Sequence, residues 1–114
     1  MEDCIFCKII DGKISAKKEF ENDSIVIFHD ITPQAPIHLL AIPKLHITSA
    51  NDINQSNANL ISEIFNNIPI ITKSLGISES GYRIVNNCGT FGGQTVHHLH
   101  FHILGGRRLT WPPG

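Results

Sequence analysis

Hydrophobic residues in the middle of the chain recur every third or fourth position, from about Ser56 to Leu75. This spacing predicts an amphipathic helix, and Gly76 directly after it is a typical helix stop. Pro69 lies inside the pattern, where it removes one backbone amide donor. We therefore predict one long helix that bends at Pro69, in preference to two short ones.

A short helix is predicted near the N-terminus, over IFCKIIDG (residues 5–12), because its apolar residues share one face and Gly12 ends it. Apolar runs rich in β-branched residues predict five strands. They are Lys17–Glu21, Ser24–His29, HLLAIP (38–43), GYRIVNN (81–87) and VHHLHFHIL (96–104), the last being the strongest. Because helices and strands do not alternate strictly, we predict an α+β fold with a five-stranded antiparallel sheet.

Composition limits the function classes. A chain of 114 residues with 41% hydrophobic content predicts a single domain, 1–114, with a core that needs no disulfides. Nine basic and ten acidic residues leave a formal charge of −1, so nothing marks a partner such as nucleic acid or an anionic membrane. The acidic start and the short apolar runs argue against a signal peptide or membrane span. We expect a cytoplasmic protein.

Three cysteines fit a reducing compartment better than a secreted protein. Cys4 and Cys7 form a C-x-x-C motif, which is compatible with metal ligation, redox chemistry or no function. The redox interpretation is weak because no strand precedes the motif. Cys88 has no partner in sequence and is interpreted as an inert thiol.

Four of the seven histidines fall in HHLHFHILGG (residues 97–106). In a strand, side chains alternate between two faces, and neighbours on one face lie about 7 Å apart. One face then carries His98, His100 and His102, and the other carries Leu99, Phe101 and Ile103, which we expect to pack against the long helix. His97 falls on the apolar side and is not grouped with the other three.

Three interpretations compete for the histidine row. It is a metal site, a polar strand face open to solvent, or a site of covalent catalysis on a phosphate. Neutral imidazole is a good nucleophile near pH 7, and a second imidazole can stabilise phosphoryl oxygens or protonate a leaving group. Glycine pairs at 92–93 and 105–106 would let backbone approach an anion. Spacing alone leaves metal and phosphate open.

The segment HLHFHIL (98–104) resembles the His–apolar–His–apolar–His–apolar–apolar motif of the histidine triad (HIT) family of nucleotide-binding hydrolases and transferases. Other segments resemble the Hint branch of that family, in the family's order. They are FHDITPQAPIHLLAIPKLHI, GYRIVNNCG, GGQTVHHLHFHILGGR and the terminal WPPG. The resemblance covers most of the chain and implies a HIT-like fold.

The resemblance also implies catalytic roles. His100 would be the nucleophile that forms a covalent nucleotidyl-histidine on the α-phosphate, and His102 would assist charge stabilisation and leaving-group protonation. His98 would orient the catalytic strand. His46, in PKLH, is identified with the family's fourth histidine near the phosphate, whereas His38 is interpreted as structural.

For nucleotide binding, the resemblance implies that Asn87 and Thr95 contact the phosphate and that Asp30 binds the ribose. Thr95 stands where animal members usually have serine. Asp30 is also a residue type that forms turns. An apolar slot around the purine would consist of Ile5, Phe6, Ile9, Phe28, His29 and Ile31. For Ile5 and Ile9, ordinary core packing is nearly as good an interpretation.

Some microbial members carry a zinc, and similarity to them implies Cys4, Cys7, His46 and His98 as its ligands here. Two cysteines and two histidines suit a closed, tetrahedral structural zinc. Such a zinc would leave His100 and His102 to the phosphate, and catalysis itself would require no cofactor.

The leading hypothesis from this resemblance is a homodimeric nucleoside 5′-phosphoramidate hydrolase, acting on purine monophosphates bonded to an amine. The C-terminus, with Trp111, would lie near the partner subunit's active site. Alternatives are a dinucleoside polyphosphate hydrolase, a non-enzymatic nucleotide-binding or scaffold protein, and a zinc-dependent interaction module. Lys44, Arg83 and Arg107 are interpreted as solvated charges.

Overall fold

The computed structural model describes residues 3–114, so the first two residues of the predicted 1–114 domain lie outside it. Two α-helices, one short 3₁₀ helix and five strands follow one another along the chain. They are α1 (Ile5–Ile10), β1 (Lys18–Glu21), β2 (Ile25–His29), β3 (Ile37–Pro43), the 3₁₀ helix (Ala50–Asp52), α2 (Ala58–Ser74), β4 (Tyr82–Val85) and β5 (Phe101–Gly105). The predicted α+β class is confirmed.

The five strands form one sheet in the order β1-β2-β3-β5-β4, and every neighbouring pair is antiparallel. The last strand of the chain therefore lies between β3 and β4, near the centre of the sheet. Leu40 of β3 lies opposite His102 of β5, and Val85 of β4 lies on its other side. This register brings the histidine segment beside two strands that are distant in sequence.

Both faces of the sheet carry buried apolar residues. One face packs Leu39, Leu99 and Ile103 against Ile64 and Ile68 of α2, as the alternation predicts. The opposite face packs against α1. That second cluster contains Cys4, Phe6, Cys7, Ile9, Val26, Phe28, Leu40 and Ile42. The histidines on this face are therefore close to α1, not to the long helix.

Helix α2 is a single continuous helix with Pro69 inside it, which confirms one helix in preference to two. It ends at Ser74 with Leu75 as its C-cap, and Gly76 follows with φ of 76°, a left-handed conformation that glycine adopts without steric cost. Among residues 3–114, no helix is both long enough and apolar enough to cross a membrane.

The predicted start of the fifth strand is wrong. Sheet pairing begins at Phe101, five positions after the predicted start at Val96, so His98 and His100 precede the strand. Before Phe101 the chain is held by other contacts, such as the Leu99 amide, which donates to the Ile47 carbonyl at 2.6 Å. The side chains still alternate in direction, since Leu99 joins the α2-side core and His98 lies among the residues of α1.

Candidate active site

Three histidine rings form a continuous row on the α1 side of the sheet. His98 is fully buried, His100 is 4% exposed, and His102 is half-buried. The ring centroids of His100 and His102 are 5.0 Å apart, and the Phe6 ring packs edge-on against His100 at 5.1 Å. Helix α1 therefore holds the row from one side.

Hydrogen bonding fixes the tautomer of His100. Its Nδ1 lies 2.7 Å from the His98 carbonyl oxygen, which can only accept, so Nδ1 carries the proton. In the neutral ring the other nitrogen, Nε2, then has the lone pair. A neutral imidazole with an unprotonated Nε2 is the form that a nucleophilic role requires.

His38, which the sequence analysis interpreted as structural, lies directly beside His102. The Gln34 amide donates to His38 Nδ1 at 3.0 Å, so the His38 proton is on Nε2. That Nε2 is 2.9 Å from His102 Nδ1, which must accept, and the proton of neutral His102 is therefore on its Nε2. A chain of hydrogen bonds from the backbone thus sets His102 as a donor.

Asp30 joins this chain from the end of β2. One carboxylate oxygen accepts from the Thr32 amide at 2.8 Å, and the other lies 3.5 Å from His38 Nε2. The potential ligand atoms of Asp30, His38 and His102 lie within 4.8 Å of one another. A metal there would have to replace the proton on His38 Nε2, so this group is better described as a hydrogen-bonded network. Asp30 forms the turn and also faces the site.

A cavity of about 210 Å³ lies between α1, the end of β2 and the histidine row. We call it the base slot. It is lined by all six predicted slot residues, by Asp30, Thr95, His100 and His102, and by Ile14, Ser15, Ala16, Leu40 and Val96, which the sequence analysis did not select. Ile31 is 92% exposed at its rim, whereas Phe6 and Ile9 are also core residues.

His29 at the rim of the base slot is held by Glu19 of β1, whose carboxylate lies 2.5 Å from His29 Nε2. This contact fixes the imidazole at the end of β2, beside Asp30. Glu19 and His29 are ten residues apart and meet only because β1 and β2 pair, so the contact depends on strand register.

The loop between β4 and β5 carries two predicted phosphate contacts. Thr95 lines the base slot, whereas Asn87 lines a second cleft on the other side of His102. The loop is organised by Gln94, a buried side chain that donates to the Thr48 and Val96 carbonyls and accepts from the Gly89 amide. The sequence analysis missed Gln94, although the surrounding glycines indicate a loop that needs such support.

The two glycine pairs serve backbone packing. A Cβ at Gly92 would lie 2.3 Å from the Cys88 carbonyl oxygen, and one at Gly105 would lie 2.7 Å from the Ile77 side chain. Both positions thus exclude a side chain for reasons within the fold. The expectation that these pairs admit an anion receives no support from these contacts.

Cys4, Cys7, His46 and His98 lie together at the N-terminus of α1, with their ligand atoms within 4.8 Å of one another. The sulfur-to-nitrogen distances are 3.4 Å for Cys4–His98, 3.3 Å for Cys7–His46 and 3.6 Å for Cys7–His98. Sulfur and nitrogen ligands of a tetrahedral zinc are roughly 3.6 Å apart. The spacing of this cluster therefore fits such an ion.

The tautomer of His98 fits the same cluster. His98 Nε2 donates to the Pro43 carbonyl at 2.8 Å, so Nδ1 presents a lone pair to both sulfurs. His46 packs edge-on against His98, with centroids 4.8 Å apart, and does not line the base slot. The histidine beside His102 is His38 and not His46.

Burial favours the neutral form of four imidazoles, those of His38, His98, His100 and His102. It lowers the pKa of His98 and of His102 to about 4 each, and the neighbouring His100 and His38 contribute to the shift of His102. Burial also lowers the pKa of His100 and of His38, against the opposing charge of Asp30. Burial raises the pKa of the Cys7 thiol, and the adjacent Cys4 adds to this effect.

The chain is similar to several known proteins. The family model described as "Scavenger mRNA decapping enzyme C-term binding" matches residues 3–109. An uncharacterized HIT-like protein of Synechococcus elongatus is 45% identical, covering 99% of this chain and 98% of the relative. The chain belongs to the histidine triad family. A relative from Arabidopsis thaliana, named Adenylylsulfatase HINT1, is 39% identical, covering 96% of this chain and 76% of the relative.

Solved structures agree in fold. A HIT family hydrolase from Legionella pneumophila Philadelphia 1 has a TM-score of 0.95 at 49% identity, covering 98% of this chain and all of that one. A histidine triad protein from Clostridium difficile has a TM-score of 0.93 at 44% identity, covering 96% of each chain. The protein thus has the nucleotide-binding hydrolase fold of the histidine triad family.

Proposed function

We propose that this histidine triad protein hydrolyses purine nucleoside 5′-phosphoramidates through a covalent nucleotidyl-His100 intermediate. The observation that carries the proposal is the tautomer of His100. Its protonated Nδ1 is engaged by the His98 carbonyl, so the lone pair is on Nε2, in a residue that lines the base slot. The apolar slot suits a purine, and Asp30 at its edge suits a ribose hydroxyl.

The first step forms a bond between His100 Nε2 and the α-phosphorus, and the phosphorus–nitrogen bond to the leaving amine breaks. The negative charge of the bound phosphate favours protonation of His102. His102 then donates its Nε2 proton to the departing nitrogen, which leaves as a neutral amine. In the resting enzyme, where His102 is neutral, the 2.9 Å hydrogen bond from His38 Nε2 to His102 Nδ1 keeps the His102 proton on Nε2, the nitrogen that later donates.

Water attacks the same phosphorus in the second step, and the bond to His100 Nε2 breaks. His102, which has lost a proton in the first step, accepts one from the attacking water. The products are a nucleoside monophosphate and the regenerated enzyme. No metal ion takes part in either step.

The test is turnover of adenosine 5′-phosphoramidate by the wild type, by His100→Ala and by the control His97→Ala, an exposed histidine outside the base slot. We expect hydrolysis by the wild type and the control and none by His100→Ala. Faster turnover of a diadenosine polyphosphate would favour the alternative hydrolase. Nucleotide binding without turnover of either would favour the binding or scaffold protein.

Adenylyl sulfate is a second candidate substrate, because the Arabidopsis relative is named an adenylylsulfatase and matches nearly the whole chain. The same attack by His100 would break the phosphorus–oxygen bond to sulfate, which leaves as an anion without needing a proton. His102→Gln distinguishes the two reactions. It should slow formation of the nucleotidyl-His100 intermediate from the phosphoramidate much more than its formation from adenylyl sulfate.

We also propose that Cys4, Cys7, His46 and His98 bind a structural zinc, as their spacing and the His98 tautomer support. Zinc would fix α1 against the triad segment. Metal analysis of protein purified without chelators should find about one zinc per chain. Cys7→Ser should lose it and the control Cys88→Ser, outside the cluster, should keep it. Zinc-free protein with intact thiols would contradict the proposal and would leave the zinc-dependent interaction module without support.

Homodimer formation is proposed from two surface features. Ile70 and Phe65 on α2 are 66% and 43% exposed, and β4 is at the edge of the sheet. An exposed strand edge and exposed apolar side chains are each features that suit association with a second copy of the chain. Sedimentation equilibrium should give twice the chain mass for the wild type, and Ile70→Glu should shift it toward the monomer. A wild-type monomer at micromolar concentration would contradict this.

A further inference from the structure

A second cleft, of about 540 Å³, lies on the far side of His102 from the base slot. We call it the outer cleft. It is lined by residues of β3, β4 and β5, by Asn87 and by the C-terminal segment that contains Leu109, Pro113 and Gly114. Of the residues in 3–114, His102 is the one that lines both cavities. A phosphate at His102 would thus be open to both.

Two arginines line the outer cleft. Arg83 on β4 donates from Nη2 to the Thr110 carbonyl at 2.8 Å. Arg107 donates from Nη2 and Nε to the Gln34 carbonyl at 2.9 and 3.3 Å, and from Nη1 to the Arg108 carbonyl at 3.2 Å. These bonds to neutral carbonyls fix both guanidinium groups in place and leave N–H donors unused on each.

Among residues 3–114, neither arginine forms an ion pair with a carboxylate. The ion pairs within the described chain join Lys18, Lys44, His29 and His38 to acidic residues, and none involves Arg83 or Arg107. The side chains that line the outer cleft include no aspartate or glutamate between residues 3 and 114. Two arginines held in place in a cleft whose described lining includes no acidic side chain favour an anion there.

The register of β4 and β5 determines how far Arg83 lies from the reacting phosphate at His102. Val85 lies opposite His102, and Arg83 is two residues before Val85, on the same face of the sheet. Diagonal neighbours of this kind are about 7–8 Å apart at the backbone. An arginine side chain therefore reaches groups that are joined to the phosphorus by only a few bonds.

We propose that the outer cleft is the leaving-group subsite, and that Arg83 and Arg107 select leaving groups that carry an anion. The inference rests on the proposed hydrolysis and names its substrate class. A carboxylate fits if the leaving amine is an amino acid, and sulfate fits if the substrate is adenylyl sulfate. With an amino-acid phosphoramidate, the phosphorus–nitrogen bond breaks, His102 supplies the proton and the carboxylate stays with the arginines. With adenylyl sulfate, the phosphorus–oxygen bond breaks and sulfate leaves as an anion without needing a proton.

The test compares adenosine 5′-phosphoramidates of alanine and of alaninamide, which differ in one negative charge, and includes adenylyl sulfate. A hydrogen-bonded ion pair in a half-open cleft predicts about tenfold higher kcat/KM for alanine than for alaninamide. The double variant R83Q/R107Q should lose this preference. R108Q, which removes the same kind of charge from a residue outside the outer cleft, should retain it.

Comparison between variants separates the subsite from the different basicity of the two amines, because that difference is the same in every variant. If the double variant lowers only adenylyl sulfate turnover, the anion is sulfate. If it lowers only the alanine preference, the anion is a carboxylate. If the wild type and the double variant treat all three substrates alike, the proposal is overturned.

Failure of the proposed function gives a different result. If the wild type hydrolyses none of the three compounds, hydrolysis is refuted and the subsite is tested by calorimetric binding. The alanine derivative should then bind the wild type about tenfold more tightly than the alaninamide derivative, and R83Q/R107Q should bind both equally. Equal binding by the wild type would overturn the subsite as well.

Discussion

His38→Leu tests whether the hydrogen-bond chain that ends at His102 serves catalysis. His38 is 4% exposed and donates from Nε2 to His102 Nδ1 at 2.9 Å. Leucine fills a similar volume but has no donor, so the proton of His102 would no longer be held on Nε2. His38→Gln is the matched variant, because a glutamine amide nitrogen can take the place of Nε2 as donor.

The magnitude follows from the bonds that are lost. Removing one partner of a buried hydrogen bond costs about 1–3 kcal/mol. His102 is half-buried and the Gln34 amide is at the surface, so we expect the lower end, about 1–2 kcal/mol of unfolding free energy. For a chain of 114 residues, each kcal/mol corresponds to about 4 °C in Tm. If the transition state is destabilised by the same free energy, kcat falls about tenfold.

Steady-state kinetics with adenosine 5′-phosphoramidate and thermal unfolding measure the two effects separately. We expect His38→Leu to lower kcat about tenfold with little change in KM, and His38→Gln to recover most of the loss. If His38→Leu lowers Tm while kcat stays at the wild-type value, His38 is purely structural and the reasoning about His102 is wrong.

Three further predictions concern pH, the β4–β5 loop and the metal. Burial lowers the pKa of His102 to about 4, below the roughly 6.5 of an unfolded chain, so the folded state binds fewer protons in that window. Unfolding free energy should therefore fall as pH drops from about 6.5 to about 4, less steeply in His102→Phe, as denaturant titrations at several pH values will show. Gln94→Ala should lower unfolding free energy by about 1–3 kcal/mol through three lost hydrogen bonds, whereas exposed Gln55→Ala should change it by less than about 0.5 kcal/mol. Chelation of zinc should weaken AMP binding measured by calorimetry, because Cys4 at the N-cap of α1 and Cys7 within α1 are proposed ligands and Phe6 between them lines the base slot. Unchanged affinity of metal-free protein would refute this link.

Local patterns account for most of the fold. The spacing of apolar residues predicts α2 as one helix, and the short β-branched runs predict all five strands. The start of β5 is the exception. Val96 to His100 have strand-like composition, but whether they pair with a neighbour depends on the position of Ile47, about fifty residues away. The alternation of apolar and polar residues predicts the direction of the side chains in this segment, but it does not predict the hydrogen-bond partners of the backbone.

The candidate site also contains residues that the sequence predicts and residues that it does not. The alternation within HLHFHIL places His98, His100 and His102 on one face, and the family resemblance identifies the residues of the base slot. The position of His38 beside His102 is known only from the β3–β5 register. The position of Arg83 near His102 is known only from the β4–β5 register. Both residues look like ordinary strand positions until the neighbouring strands are known.

The central claim is that His100 becomes covalently attached to the nucleotide. Wild-type protein mixed with excess adenosine 5′-phosphoramidate can be quenched within milliseconds and examined by intact-mass and peptide mass spectrometry. We predict one adenylyl group per chain, located on His100, which appears before free AMP accumulates and which His100→Ala does not form. Full AMP release by wild-type protein with no adenylylated His100 at any quench time, or undiminished turnover by His100→Ala, would contradict the account.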